Sequence, residues 1–230
     1  MADIYLAVAR GALGFSKLVV VKHLRSYDED RHTLDMFLDE ARLAARLNHP
    51  NIVDTYDVGR DDDAYFIAME YLDGQSLSRI MRAAQQGQLP ATAWVRIVAD
   101  ALRGLHYAHE LCDYDGMPFG LVHRDVSPPN IFVTYGGEIK IVDFGIAKAT
   151  LNTYETDPGI VKGKLGYMAP EQVAGNVVDR RTDIFSMGVV LWEALVRRRL
   201  LEGGIRHALD ERGQLPLPTV FSVKPPSLAT

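Results

Sequence analysis

Residues 123–145 are HRDVSPPNIFVTYGGEIKIVDFG, the most informative pattern in the chain. Two apolar, β-branched runs within this stretch, Ile131 to Val133 and Ile139 to Val142, have the composition of strands. The Tyr-Gly-Gly sequence between them predicts the turn of a hairpin. Because a hairpin reverses the chain, it should bring Asn130, which precedes the first strand, close to Asp143, which follows the second.

The polar residues around this hairpin have the spacing of a phosphoryl-transfer centre. Such a centre needs a carboxylate that can accept a hydroxyl proton, an amide oxygen for one Mg²⁺ and a carboxylate for the other. Asp125, Asn130 and Asp143 supply these groups in that order. The pattern therefore predicts a site that acts on the γ-phosphate of ATP.

Composition places the chain among ordinary globular proteins. Hydrophobic residues make up 47% of its 230 residues and charged residues 24%, and no repeat or low-complexity tract is present. The net charge of -5 and the lack of a basic stripe argue against nucleic acid as a partner.

Cysteine content and hydropathy predict a cytoplasmic location. Cys112 is the single cysteine, so it can form no internal disulfide, which suits a reducing compartment. The longest apolar run, Val189 to Val196, is interrupted by Glu193 and is too short for a membrane span. The first residues lack the basic and apolar regions of a signal peptide.

The first part of the chain predicts a small sheet with one helix. Strands are expected at Ile4 to Val8, Leu18 to Lys22, Ile52 to Val58 and Tyr65 to Tyr71. An apolar stripe of helical period over about Thr33 to Leu47 predicts a helix between the second and third strands.

The pattern then becomes helical, which predicts an α+β fold with two lobes. Helices are expected at Leu77 to Ala84, Thr92 to Leu111 and Asp183 to Val196. The change near Leu72 to Gly74 sets a boundary, with a sheet lobe over residues 1–72 and a mainly helical lobe over residues 73–230.

With these motifs in order along nearly the whole chain, the sequence resembles the Hanks-type protein kinases, in a style similar to their bacterial Ser/Thr members. The resemblance rests on the two loops above and on further motifs: Val20-Val21-Lys22, Glu40, His49-Pro50-Asn51-Ile52-Val53, Met69-Glu70-Tyr71, Ala169-Pro170-Glu171 and Asp183. Each tripeptide alone is weak, but their shared order makes coincidence a poor explanation.

The resemblance implies a role for each catalytic residue. Lys22 would hold the α- and β-phosphates of ATP and pair with Glu40 on the helix. Asp125 would orient the substrate hydroxyl, Asn130 would bind one Mg²⁺, and Asp143 would bridge the metals to the phosphates. ATP and Mg²⁺ are the implied cofactors, and protein substrates the implied partners.

The resemblance also implies a nucleotide pocket. The adenine would lie between apolar side chains and take hydrogen bonds from the backbone that joins the lobes, with a gatekeeper side chain behind it. The residues concerned are Ile4, Val20 and Phe132 for the ring, Glu70 and Leu72 for the backbone bonds, and Met69 as gatekeeper. Asp183 would anchor the catalytic-loop backbone, with Phe144 and His123 stacked above it.

Two positions depart from the family pattern together. Most Ser/Thr kinases have a Lys two residues after the catalytic Asp and a Thr before Ala-Pro-Glu, whereas here these positions are Ser127 and Lys164. We hypothesise that Lys164 reaches Asp125 and Ser127, so that the exchanged pair still places an ammonium and a hydroxyl at the site. The alternative is a surface lysine on a loop.

Both ends also depart from the family pattern. Ala2 takes the place of the last glycine in the phosphate-covering loop, so the first strand and the leading glycines are expected to be missing. The last helices, one of which carries the Arg partner of Glu171, are expected to be missing too. An unpartnered buried carboxylate costs roughly 3–5 kcal/mol, which predicts marginal stability.

The favoured function is transfer of the γ-phosphate to Ser or Thr. Ser127 and Pro129 replace the Ala and Arg typical of tyrosine kinases, although Ser127 also removes the usual Ser/Thr marker. Arg124 suggests control by phosphorylation, with candidate sites at Thr150, Thr153, Tyr154 and Thr156. Two alternatives stay open: a silent kinase-fold scaffold and a non-functional fragment.

Overall fold

The computed structural model describes residues 2–24, 37–38, 41–61, 64–84, 89–144 and 166–201. Within these ranges the chain forms a small antiparallel sheet, followed by a region made of helices and a second, shorter sheet. This is the α+β arrangement that the sequence predicts.

The first sheet contains four strands: β1 (Ala2–Arg10), β2 (Ser16–Leu24), β3 (Thr55–Asp61) and β4 (Ala64–Glu70). They adjoin in the order β1-β2-β4-β3, and every pair is antiparallel. The first two strands form the predicted hairpin and extend beyond its predicted ends. The predicted helix near Thr33 to Leu47 lies partly outside the described residues, and within them 37–38 and 41–44 are helical.

The second sheet holds the hairpin on which the sequence argument began. Its strands are β5 (Gly74–Ser76), β6 (Ile131–Thr134) and β7 (Ile139–Ile141), in that order and all antiparallel. The turn after β6 contains Gly137 at φ 86°, a left-handed conformation that glycine adopts without strain. The hairpin prediction is confirmed, whereas β5 was not predicted.

After the first sheet, the described residues contain the helices α1 (Leu77–Ala83), α2 (Ala91–His109), α3 (Pro170–Val173) and α4 (Arg180–Val196). At the start of α4 the side chain of Asp179 accepts a hydrogen bond from the Arg181 amide, a standard helix cap. The three longer helices confirm the sequence prediction to within a few residues.

One predicted strand was placed too early. Ile52 was expected to begin a strand of the first sheet, but β3 begins at Thr55, and Ile52 instead forms an isolated parallel bridge with Ile141 of β7. The Asn51 side chain donates to the Ile139 carbonyl at 2.9 Å. The segment before β3 therefore ties the start of the first sheet to the second.

Buried apolar side chains form two groups. The smaller group packs on one face of the first sheet and consists of Leu24, Phe37, Ala41 and Ile67. The larger group lies among α2, α4 and the second sheet, with fully buried members such as Leu105, Ile131, Ile141 and Val190. The second sheet and the two long helices therefore share one core, which fixes the loops that leave the sheet.

Gly104 and Gly188 provide a matched test of this packing. A Cβ at Gly104 would lie 2.8 Å from the Asn51 carbonyl oxygen, while a Cβ at Gly188 meets no described heavy atom within 4 Å. We expect Gly104→Ala to lower the free energy of unfolding by roughly 1–3 kcal/mol. Gly188→Ala should raise it by roughly 0.5–1 kcal/mol through helix propensity. Urea unfolding measures both, and equal stability of the two variants would contradict the close contact.

Candidate active site

The loop at residues 123–125 is held from below by a buried carboxylate. Asp183 of α4 has no solvent exposure, and its oxygens accept the backbone N–H groups of His123 at 2.8 Å and Arg124 at 2.9 Å. The ring of His109, on α2, lies 2.7 Å from the same carboxylate. Because a carboxylate only accepts, His109 Nε2 is the donor. The predicted anchoring by Asp183 is confirmed.

His123 is buried and neutral. Burial lowers its pKa, against the opposing effect of Asp183 and other nearby carboxylates. The ring Nδ1 accepts from the Asp125 amide at 3.2 Å, which leaves Nε2 to donate to the Val142 carbonyl at 3.2 Å. Its ring centroid lies 4.6 Å from that of Phe144. This confirms the predicted stack, which connects the loop of Asp125 to the loop of Asp143.

Asp125 and Asn130 hold one another. The Asn130 amide nitrogen donates to the Asp125 carboxylate at 3.0 Å and to its backbone carbonyl at 2.9 Å. The 3₁₀ turn Pro128–Asn130 between them is closed by a bond from the Asn130 N–H to the Ser127 carbonyl. The two side chains thus come together through the local fold of the loop.

The side chain of Lys22, on β2, contacts Asp143 in the loop that follows β7. Its ammonium nitrogen lies 3.2 Å from Asp143 Oδ1, and the two residues are separated by 121 positions in sequence. The lysine side chain is largely buried, with 15% exposed, while that of Asp143 is 46% exposed. Glu40, the predicted partner of Lys22, lies outside the described side chains, so that pairing stays a prediction.

The predicted adenine residues of the first sheet lie on one face. Directly opposite residues of antiparallel strands point to the same side. Ile4 is directly opposite Lys22, and Val20 is directly opposite Met69. Val20 and Lys22 are two positions apart on β2, so their side chains lie on the same side of the sheet. The sheet therefore presents Ile4, Val20, Met69 and Lys22 together, and Ile4 is 60% exposed. Phe132 lies on β6 and is half-buried.

An ion pair that the sequence did not predict supports the connection between the lobes. Lys140 of β7 is buried, and its ammonium lies 2.8 Å from Glu70 Oε2 at the end of β4. The Asp54 amide lies 3.4 Å from the same oxygen. Just beyond, the amide of Leu72 makes no hydrogen bond within the described part of the chain. The ion pair thus fixes the backbone from which adenine bonds are predicted.

Ser127 turns its hydroxyl into its own loop. The side chain is buried, and Oγ donates to the Asp125 carbonyl at 3.3 Å. Lys164, its hypothesised partner, lies outside the described residues, as do the candidate phosphorylation sites from Thr150 to Thr156. The exchanged Ser and Lys pair stays a prediction.

Asn130 and Asp143 fit a magnesium ion by their chemistry. Amide and carboxylate oxygens are the ligands that Mg²⁺ prefers. Asn130 uses its amide nitrogen on Asp125, and no described residue donates to its side-chain oxygen, so that oxygen can face a metal. Within the described ranges no three His, Cys, Asp or Glu side chains cluster as a metal site. His106, on the same helix as His109, is exposed, whereas His109 is packed against Asp183.

The segment after residue 165 supports the same loop. Gln172 of α3 donates to the Arg124 carbonyl at 2.9 Å, a contact that carried no sequence pattern. Glu171 was expected to be a buried, unpartnered carboxylate. It is only half-buried and accepts a hydrogen bond from Thr182 at 2.6 Å. The stability penalty predicted for Glu171 was therefore wrong, because its premise of an unpaired buried charge does not hold.

Comparison with known proteins identifies the family. The family model described as protein kinase domain matches residues 5–224. The chain belongs to the protein kinase family. Among solved structures, this kinase domain is similar to the PknI kinase domain of Mycobacterium tuberculosis, with a TM-score of 0.65 and 28% identity over 96% of this chain and 76% of that one. The fold is thus the two-lobed protein kinase fold.

Two curated relatives are named for different phosphorylated residues. The chain is 44% identical to the tyrosine-protein kinase MasK of Myxococcus xanthus, over 94% of this chain and 36% of that protein. It is 36% identical to the serine/threonine-protein kinase PrkC of Bacillus subtilis, over 88% of this chain and 30% of that protein. This kinase domain therefore spans about a third of the length of each. In its described residues, no helix has both the length and the apolar character of a membrane crossing.

The burial of His123 predicts a pH dependence of stability. Its pKa is lowered in the folded chain, while the unfolded chain keeps a value of about 6.5. As pH falls below about 6.5, the unfolded state binds the proton first, so the free energy of unfolding decreases by up to about 1.4 kcal/mol per pH unit until the lowered native pKa is reached.

We expect His123→Phe, which keeps a ring against Phe144, to flatten this slope even if it lowers stability overall. Urea unfolding between pH 7.5 and 5.5 measures the slope. His106→Gln is the control, because its imidazole is exposed, and it should leave the slope unchanged. Equal slopes in wild type and His123→Phe would contradict a neutral buried His123.

Proposed function

We propose that this chain transfers the γ-phosphate of ATP to Ser or Thr of protein substrates. One observation supports this most directly: four residues from three parts of the chain form two contacting pairs. Asn130 holds Asp125 at 3.0 Å, and Lys22 lies 3.2 Å from Asp143. The stack of His123 on Phe144 joins the two pairs. A protein kinase domain implies ATP and protein as its two substrates.

Each side chain has a proposed task. Asp125 accepts the proton of the substrate hydroxyl, and its orientation is set by Asn130. Lys22 holds the α- and β-phosphates. The oxygens of Asn130 and Asp143 hold Mg²⁺, which when bound offsets the negative charge of the phosphates. Glu40 and Lys164 keep their predicted roles as the partner of Lys22 and as the second ammonium at the site.

The nucleotide pocket is proposed between the lobes. Ile4, Val20 and Phe132 would enclose the adenine, with Met69 as the gatekeeper. The backbone of Glu70 and Leu72 would supply hydrogen bonds, and the ion pair to Lys140 keeps that backbone in place. We propose the lobe boundary near Leu72, with residues 1–72 forming the sheet lobe and 73–230 the helical lobe.

Removal of the proposed base should separate binding from transfer. We expect Asp125→Asn to lower phosphotransfer by about 10²–10⁴-fold, the usual contribution of a positioned acid or base. ATP with Mg²⁺ should still raise its melting temperature, because the phosphate and metal ligands stay. Glu138→Gln, in the exposed turn between β6 and β7, is the charge-matched control and should keep full activity. Full activity of Asp125→Asn would exclude the proposed role.

The wild-type chain should also be stabilised by ATP in a Mg²⁺-dependent manner, by about 2.7 kcal/mol at a ligand concentration of one hundred times Kd. Asp143→Asn should weaken the Mg²⁺ dependence. Binding without transfer in the wild type would favour a silent scaffold over an enzyme, and neither binding nor transfer would contradict the proposal entirely.

The phosphorylated residue needs its own test, because the relatives are named for both specificities. Three peptides that differ only in Ser, Thr or Tyr at one position should be incubated with ATP, Mg²⁺ and the chain. We expect transfer to Ser or Thr and little to Tyr. Mass spectrometry of the products decides, and a preference for the Tyr peptide would reverse the assignment.

A further inference from the structure

A cavity of about 570 Å³ adjoins the loop of the proposed base. Its walls come from α1, from the end of α4 and from Ser127, Pro128 and Pro129. Ser127 follows Asp125 by two residues, so their Cα atoms are at most about 7 Å apart. A substrate whose hydroxyl lies at Asp125 therefore passes this cavity within a few residues of the phosphorylated position.

The cavity is rich in arginine. Arg82, Arg197, Arg198 and Arg199 line it, and Glu193 is the one carboxylate among the described lining residues. Arg82, Arg197 and Arg198 are exposed, and none of the three forms an ion pair with a described carboxylate. Their positive charges are therefore available to a ligand.

Glu193 does not neutralise these arginines, because it is already engaged. Its side chain is 5% exposed and accepts from the Tyr167 hydroxyl at 2.7 Å and from the Leu200 amide at 3.2 Å. Arg199 lies 3.7 Å from the same carboxylate and 2.8 Å from the Tyr167 oxygen. Burial, and then the bond to Glu193, raises the pKa of Tyr167, which keeps it a donor. Arg199 is thus held by contacts within the fold, whereas Arg82, Arg197 and Arg198 form no ion pair with a described carboxylate.

The backbone at Arg197 adds a second observation. Arg197 ends α4 with φ 60° and ψ 29°, the left-handed conformation that glycine adopts at low cost at helix ends. A side chain in this conformation is strained, and such residues concentrate at functional sites. A glycine would end the helix more favourably, so the arginine is better explained by a function of its charge.

We propose that this cavity selects acidic substrate segments, with Arg82, Arg197 and Arg198 binding Asp or Glu side chains near the phosphorylated residue. The proposal rests on the proposed phosphotransfer function and names its substrate class. Exposed ion pairs contribute a factor of roughly 1.5 to 5 each, so three together favour an acidic peptide about tenfold. Salt screens such pairs, so the preference decreases as salt is added.

Three peptides test this proposal. They share one phosphorylatable Ser and differ only in having Asp, Asn or Lys at the flanking positions. At low salt we expect kcat/KM to be about tenfold higher for the Asp peptide than for the Asn peptide, and lowest for the Lys peptide. At 1 M salt, where the screening length is about 3 Å, the difference should largely disappear.

Substitutions of the cavity arginines test whether the preference for acidic peptides comes from this cavity. Replacing the three arginines together (Arg82→Gln, Arg197→Gly and Arg198→Gln) should reduce the Asp-to-Asn ratio to about one. Arg197→Gly alone should lower the ratio about twofold, its share of the tenfold preference, while its melting temperature stays equal or rises, since the strain is removed. Arg180→Gln removes the same charge at the other end of the 17-residue α4, about 25 Å away, and should leave the ratio unchanged.

Peptide binding measured by fluorescence anisotropy with ADP separates the two proposals. Equal kcat/KM for the Asp and Asn peptides, with transfer observed, would overturn the acidic preference and leave the kinase function intact. If no peptide is phosphorylated but the Asp peptide binds most tightly, and only with the arginines present, the cavity assignment stands and the phosphotransfer function does not. Equal binding of all three peptides would overturn the cavity assignment.

Discussion

The hydrogen bonds to the buried carboxylate of Asp183 are the interaction on which the loop at residues 123–125 depends. Desolvation of an isolated carboxylate costs several kcal/mol. Its three donors, two loop amides and the ring of His109, each contribute about 1.5–3 kcal/mol as charge-assisted hydrogen bonds, and together they offset that cost. Because α2 and α4 supply the His and the Asp, the helical core positions the loop, and the loop positions Asp125.

Contacts of β7 connect the second sheet to the first sheet. The buried ammonium of Lys140 pairs with Glu70, at the end of β4. The neighbouring Ile141 forms a bridge with Ile52, which precedes β3. One strand of the second sheet therefore holds both ends of the segment that contains β3 and β4. The same strand leads directly to Asp143, which Lys22 contacts from β2. The proposed nucleotide pocket and the proposed metal ligands therefore share one support.

The contrast between local and distant interactions explains what the sequence could predict. The hairpin around Gly137 follows from turn chemistry within a few residues, and the long helices follow from their apolar period. The anchoring role of Asp183 came from family resemblance. β5 has only three residues and pairs with a strand more than fifty positions away. Lys140 stands between two isoleucines of a short strand, and no local pattern indicates a partner seventy residues distant.

At Arg124 and Asp143, backbone strain occurs next to contacts that hold the backbone in place. Arg124 and Asp143 both adopt positive φ, at 64° and 54°, which costs about 1–3 kcal/mol for each non-glycine residue. Arg124 keeps this conformation because its amide is bound by Asp183 and its carbonyl by Gln172. Beside Asp143, the stacked rings of Phe144 and His123 fix the chain. Contacts made by side chains from distant parts of the chain therefore hold two strained residues of the site, Arg124 next to Asp125 and Asp143 itself.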